Sequence, residues 1–85
     1  MYKNLIVDIE TDSLDVDKAN LKFVGILDIQ TNNIHIYKYP ENIEKINLVL
    51  SYADTIIGFN IRRFDFPIIR RFISLKKFYN ILDLY

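Results

Sequence analysis

The chain has 85 residues, 51% of them hydrophobic, with two glycines, two prolines and no cysteine, and its eleven basic and eleven acidic residues cancel to a net charge of zero. That allows at most one small domain, residues 1–85, with little stability to spare. It excludes a disordered chain, disulfides and a thiolate zinc site, and, since no apolar run approaches about 20 residues, a membrane-spanning helix.

Taken in chain order, Leu5–Ile9 is a short apolar run rich in β-branched residues and reads as a buried strand. Met1-Tyr2-Lys3 leads directly into it, which reads as the absence of a signal peptide. With no cysteine in the chain, the expected compartment is a reducing cytoplasm. Thr11–Asn20 is polar and Asp-rich without a helical period, hence a loop. Leu21–Gln30 is a second strand and Ile34–Tyr39 a third, joined as a hairpin through Thr31-Asn32-Asn33, where asparagine tolerates positive φ.

Pro40 breaks the third strand. Glu41–Tyr52 spaces Ile43, Ile46, Leu48, Val49 and Leu50 as a helix does, with Glu41 and Glu44 where the helix dipole favours acids. Thr55–Phe59 is a fourth strand. Phe66–Phe72 predicts a second helix, with Pro67 in its first turn. Ile81–Tyr85 begins a fifth strand. The order β-β-β-α-β-α-β predicts an α/β fold with a mixed sheet flanked by helices.

Charge is unevenly spread. The front segment carries Asp8, Glu10, Asp12, Asp15 and Asp17, and the later segment Arg62, Arg63, Arg70, Arg71, Lys76 and Lys77 around Asp65. A metal site beside a phosphate-binding track has this pattern, and so does an ordinary uneven surface.

Asp8 and Glu10 are two apart on the first strand, so their side chains leave one face. Two carboxylates close together near a core repel and are poorly solvated. A hard divalent cation such as Mg²⁺ or Mn²⁺ removes that cost. The alternative ends the strand at Val7 and leaves both acids in solvent. Asp65, between the fourth strand and the second helix, stands where an N-cap belongs, or faces the first strand as a third carboxylate. Asn60 reads as a turn residue, and Phe64 and Phe66 as core. Asp12, Asp15 and Asp17 read as a solvated loop or an accessory cation site. His35 reads as an exposed strand residue, and Arg70 and Arg71 as a solvated helix face or phosphate contacts.

Ile6-Val7-Asp8-Ile9-Glu10-Thr11 resembles the first exonuclease motif of the DEDD superfamily, whose fold is ribonuclease H-like. Gly58 through Pro67 resembles the second motif, Asn-x-x-x-Phe-Asp, in the version of family B DNA polymerases and their stand-alone relatives. The resemblance implies a 3′–5′ exonuclease acting on a single-stranded 3′ end of a nucleic acid with two Mg²⁺ or Mn²⁺ ions. It makes Asp8, Glu10 and Asp65 both catalytic and metal-binding, and Thr11, Asn60 and Phe64 substrate-binding. The family's fourth acid, an Asp on a later helix, has no counterpart: Asp83 falls in the predicted fifth strand and Tyr85 is the last residue. The chain therefore reads as truncated before the final helix, as a fragment, a shortened relative, or one completed by self-association or a partner chain. A catalytically incomplete binding or interaction module of the same fold is the alternative to an active nuclease.

Overall fold

β1 (Asn4–Thr11) buries Leu5, Val7 and Ile9 and turns Asp8 and Glu10 to the opposite face, as the two-residue period of a strand requires. In this computed structural model residues 3–75 and 79–85 are described, so Met1 and Tyr2, and Lys76 and Lys77 of the basic segment, lie outside the described residues. β2 (Leu21–Asp28) runs antiparallel to β1, and β3 (Asn33–Lys38) antiparallel to β2. Asn32 at the hairpin adopts φ 61°, the left-handed backbone that asparagine tolerates better than most residues.

α1 (Ile43–Ser51) starts two residues later than its periodicity predicts. Pro40–Asn42 form a turn instead, in which the Asn42 N–H donates to the Lys38 carbonyl at 2.8 Å and the Ile43 N–H to the Pro40 carbonyl at 3.1 Å. β4 (Thr55–Gly58) lies parallel to β1. A π-helical turn (Ile61–Asp65) leads into α2 (Phe66–Phe72), and β5 (Asn80–Asp83) closes the chain parallel to β4. The sheet order is β3-β2-β1-β4-β5, mixed and five-stranded. The predicted order of strands and helices is the observed one; the π-helical turn is the addition.

The core lies on one face of this sheet. Leu5, Val7, Val24, Ile26 and Ile56 from the strands cluster with Ile46 and Leu50 of α1 and Ile68 and Ile69 of α2. The other face has no helix among the described residues: Ile34 and Ile36 are 68% and 72% exposed. No helix of the described residues is long and apolar enough to cross a membrane.

Candidate functional site

β1 continues through Thr11, so Asp8 and Glu10 belong to the strand and not to a solvated loop beyond Val7. Both are exposed on the open face of the sheet. Across the ladder Asp8 stands opposite Gly25 and Glu10 opposite Phe23. Because Gly25 has no side chain, a shallow depression of about 260 Å³ remains there, walled by Asp8, Glu10, Phe23 and Ile36. The register breaks between Glu10 and Thr11. Thr11 turns its hydroxyl into the loop, donating to the Ser13 carbonyl at 2.7 Å.

The second half of the site grows out of the end of β4. A Cβ on Gly58 would stand 2.9 Å from both the Val7 carbonyl oxygen and Ile61 Cδ1. Only glycine lets the backbone pass this close to β1 and to the π-helical turn. Asn60 is left-handed, φ 55° and ψ 29°, and reverses the chain. Ile61 is fully buried beneath the π-helical turn, which closes when the Phe66 N–H donates to the Ile61 carbonyl.

Asp65 ends that turn. Its backbone is helical, φ −61° and ψ −50°, and its side chain makes no capping hydrogen bond. The N-cap reading is therefore set aside, because a cap needs an extended backbone and a carboxylate aimed at its own helix. The carboxylate crosses to β1 instead, where Oδ2 accepts the Ile9 N–H at 3.2 Å. The β1–β4 ladder ends at Ile6, and Asp65 takes up a strand amide beyond it. At 5% exposure Asp65 is the one buried polar or charged residue among the described residues. Burial first, and then the neighbouring Asp8 carboxylate, push its pKa up to about 6.

The fold thus brings Asp65 beside Asp8, while Glu10 shares Asp8's face of β1. Among the described residues no three histidine or acidic side chains stand close enough together to hold a metal ion. Phe64 and Phe66 pack against the core, as their plain reading had it.

The basic segment is partly structural. Arg62 donates through Nη2 to the Ile81 carbonyl at 2.6 Å, and Arg71 to the carbonyls of Val16 and Ala19, tying α2 to the loop after β1. Arg70 lies 5.8 Å over the Phe66 ring. In the acidic loop, Asp12 accepts the Asn20 N–H at 2.7 Å and its side-chain amide at 2.9 Å, and these bonds hold its carboxyl below the usual range. His35 is exposed on β3 and stacks on Tyr37 with centroids 5.9 Å apart.

Sequence reasoning named two residues without giving them a structural role. Gly58 gave a signal, a glycine at the junction of a strand and a turn. Asp83 gave little beyond being an acid in an apolar strand. The structure shows its carboxylate accepting the N–H groups of Asn60, Arg62 and Tyr85.

The sequence profile of the RNase_H superfamily matches residues 5–85, the span of all five strands apart from Asn4. The chain belongs to the RNase_H superfamily. No curated protein matches the sequence. Among solved structures, the chain is similar to the family B DNA polymerase from the hyperthermophilic archaeon Pyrobaculum calidifontis. The two share 19% identity at a TM-score of 0.62, over 81% of this chain. The matched part is 10% of that polymerase, so the likeness concerns the fold. In this superfamily member, the open-face acids sit at the C-terminal end of β1, next to the turn that β4 feeds.

Proposed function

We propose that the chain forms the acidic site of a metal-dependent 3′–5′ exonuclease-type domain, which hydrolyses nucleic-acid phosphodiester bonds from a single-stranded 3′ end. One observation carries this reading. A carboxylate is buried without capping its helix and is set beside a second carboxylate. For folding alone that is unfavourable, since burial and like charge both oppose ionisation. A group retained in such a place suits a ligand that the charged form can bind.

The donors fit Mg²⁺ or Mn²⁺, because all are hard carboxylate oxygens. Asp8 and Asp65, with Glu10 on Asp8's face of β1, do not form a ready three-acid cluster, and would hold such ions only by closing around them. Bound there, the ions would lower the pKa of an attacking water and stabilise charge on the phosphate. The remaining work falls to the chain. The Ile9 N–H fixes one oxygen of Asp65 against β1. Asn60 and Phe64, on the turn after β4, and Thr11, at the end of β1, would position the terminal nucleotide.

A second reading has its own observation. Without a cluster of three acids among the described residues, the chain fits a module that binds nucleic acid or one metal without cutting. Ile36 beside Asp8 and Glu10, and Ile34 further along β3, are exposed and suit self-association or a partner chain that completes the site.

A cleavage time course separates the two. The protein is mixed with a 5′-labelled single strand and Mn²⁺, next to an Asp8→Ala control. A ladder shortening from the 3′ end, absent in the control, is the outcome expected of the nuclease. No ladder, with Mn²⁺ or the strand still bound, leaves the binding module; no ladder and binding of neither Mn²⁺ nor the strand sinks both.

A further inference from the structure

The acid that sequence reasoning set aside links β5 to the candidate site. Asp83 closes β5, opposite Gly58 of β4. Its Oδ1 accepts the Asn60 N–H at 2.9 Å and the Tyr85 N–H at 3.0 Å, and its Oδ2 accepts the Arg62 N–H at 3.1 Å. Asn60 is left-handed, and a left-handed residue in such a turn aims neighbouring amides at one point, making an anion-binding concavity. Here the chain's own carboxylate fills it. The Arg62 guanidinium adds a bond to the Ile81 carbonyl, so the turn is fastened to β5 on both sides.

The fastening bears directly on the π-helical turn. Such turns are rare and cluster at functional sites. This one runs from Ile61 to Asp65, and at its far end Asp65 reaches the Ile9 amide beside Asp8. The two carboxylates repel, and nothing in α2, which is seven residues long, caps Asp65 in place. We infer that Asp83 is a positioning residue: by clamping the Asn60 and Arg62 amides it holds the π-helical turn so that Asp65 stays against β1 beside Asp8. Both oxygens of Asp83 are engaged with backbone amides, so it acts as an anchor and not as a further metal ligand. The functional weight of this placement rests on the exonuclease-type reading proposed above; the placement itself does not.

The test uses Asp83→Ala and Asp83→Asn in the full 85-residue chain, read by amide hydrogen exchange and by Mn²⁺ titration. In Asp83→Ala, exchange should quicken about tenfold at Asn60 and Arg62, the scale of one lost hydrogen bond to a charged group. It should quicken at the Ile9 amide as well, while Val24 in the β2–β3 ladder stays protected. Mn²⁺ affinity should weaken by about tenfold or more, on the same scale. Asp83→Asn keeps one acceptor oxygen and should recover part of both losses. If Asp83→Ala does not fold, Asp83→Asn is read alone: faster exchange at Arg62 and Ile9 supports the inference. In either variant, an Ile9 amide that stays protected while Arg62 is released overturns it, because Asp83 then holds only its own turn. Wild-type protein that binds no Mn²⁺ defeats the metal-site reading, and the Ile9 amide still decides the positioning role.

Discussion

Asp65 is ionised at neutral pH against its surroundings, and this sets a direction for stability. Its pKa is raised to about 6, by burial first and by Asp8 second, whereas in the unfolded chain it lies near the ordinary carboxylate value of about 4. Between these values the folded chain holds a proton that the unfolded chain has released. Stability therefore falls as pH rises through this window, and the loss is complete above it. Asp65→Asn removes the titration and keeps an oxygen for the Ile9 N–H. Its melting temperature relative to wild type should climb from about pH 4 to about pH 7, and a differential scanning fluorimetry series would show this. Other carboxyls work the opposite way: Asp12, Asp28, Glu41 and Asp83 are held low by hydrogen bonds. The difference between the two proteins isolates Asp65. Added Mn²⁺ at neutral pH should raise the wild-type melting temperature and leave those of Asp65→Asn and Asp8→Asn unchanged. A cation offsets repulsion only where both carboxylates are present. Equal shifts in all three proteins would count against a shared site.

At the scale of elements, the connection from β4 to α2 depends on one close approach. A methyl group on Gly58 would press on the Val7 carbonyl oxygen, a backbone atom that cannot swing aside. Gly58→Ala should cost about 1–3 kcal/mol, the usual range for overpacking a tight site, and chemical denaturation would measure it. A cost near zero would mean that β4 can shift, and Asp65 with it. The loop after β1 is held differently, by Arg71 reaching from α2 to the Val16 and Ala19 carbonyls. Arg71→Ala leaves those oxygens to water and should speed tryptic cleavage after Lys18, with a stability loss of about 1–2 kcal/mol. Unchanged cleavage would show that the Asp12–Asn20 bonds suffice to hold the loop.

For the whole molecule, the asymmetry between the two sheet faces is the main fact. One face carries the core with both helices; the other presents Asp8, Glu10 and exposed isoleucines. Ile56 is fully buried between the sheet and the helices, and Ile36 is largely exposed. Ile56→Ala should cost about 2–5 kcal/mol, a large share of what so short a chain has. Ile36→Thr should stay within about 0.5 kcal/mol. Urea midpoints of the two variants would check this, and a large loss from Ile36→Thr would mean that the open face is covered in solution.

Much of the fold was legible because it obeys local periods. The run Leu5–Ile9, the Asn-Asn turn and the helical spacing of Ile46 and Leu50 each specify an element with few neighbours involved. The pairing of Asp8 with Glu10 on one face was legible too, since a strand's alternation requires it. What only the tertiary structure decided lies between Gly58 and Asp65. Read locally, Asp65 before Pro67 is a helix cap. In the fold it is a buried carboxylate on a π-helical turn, bonded to an amide that lies 56 residues earlier. Asp83 was opaque for the same reason, because its partners stand on a turn more than 20 residues away. Alternation and helical period are properties of neighbouring residues and can be read from the chain. Which acid is buried, and which amide it meets, depends on how β1, β4 and β5 come together in the sheet.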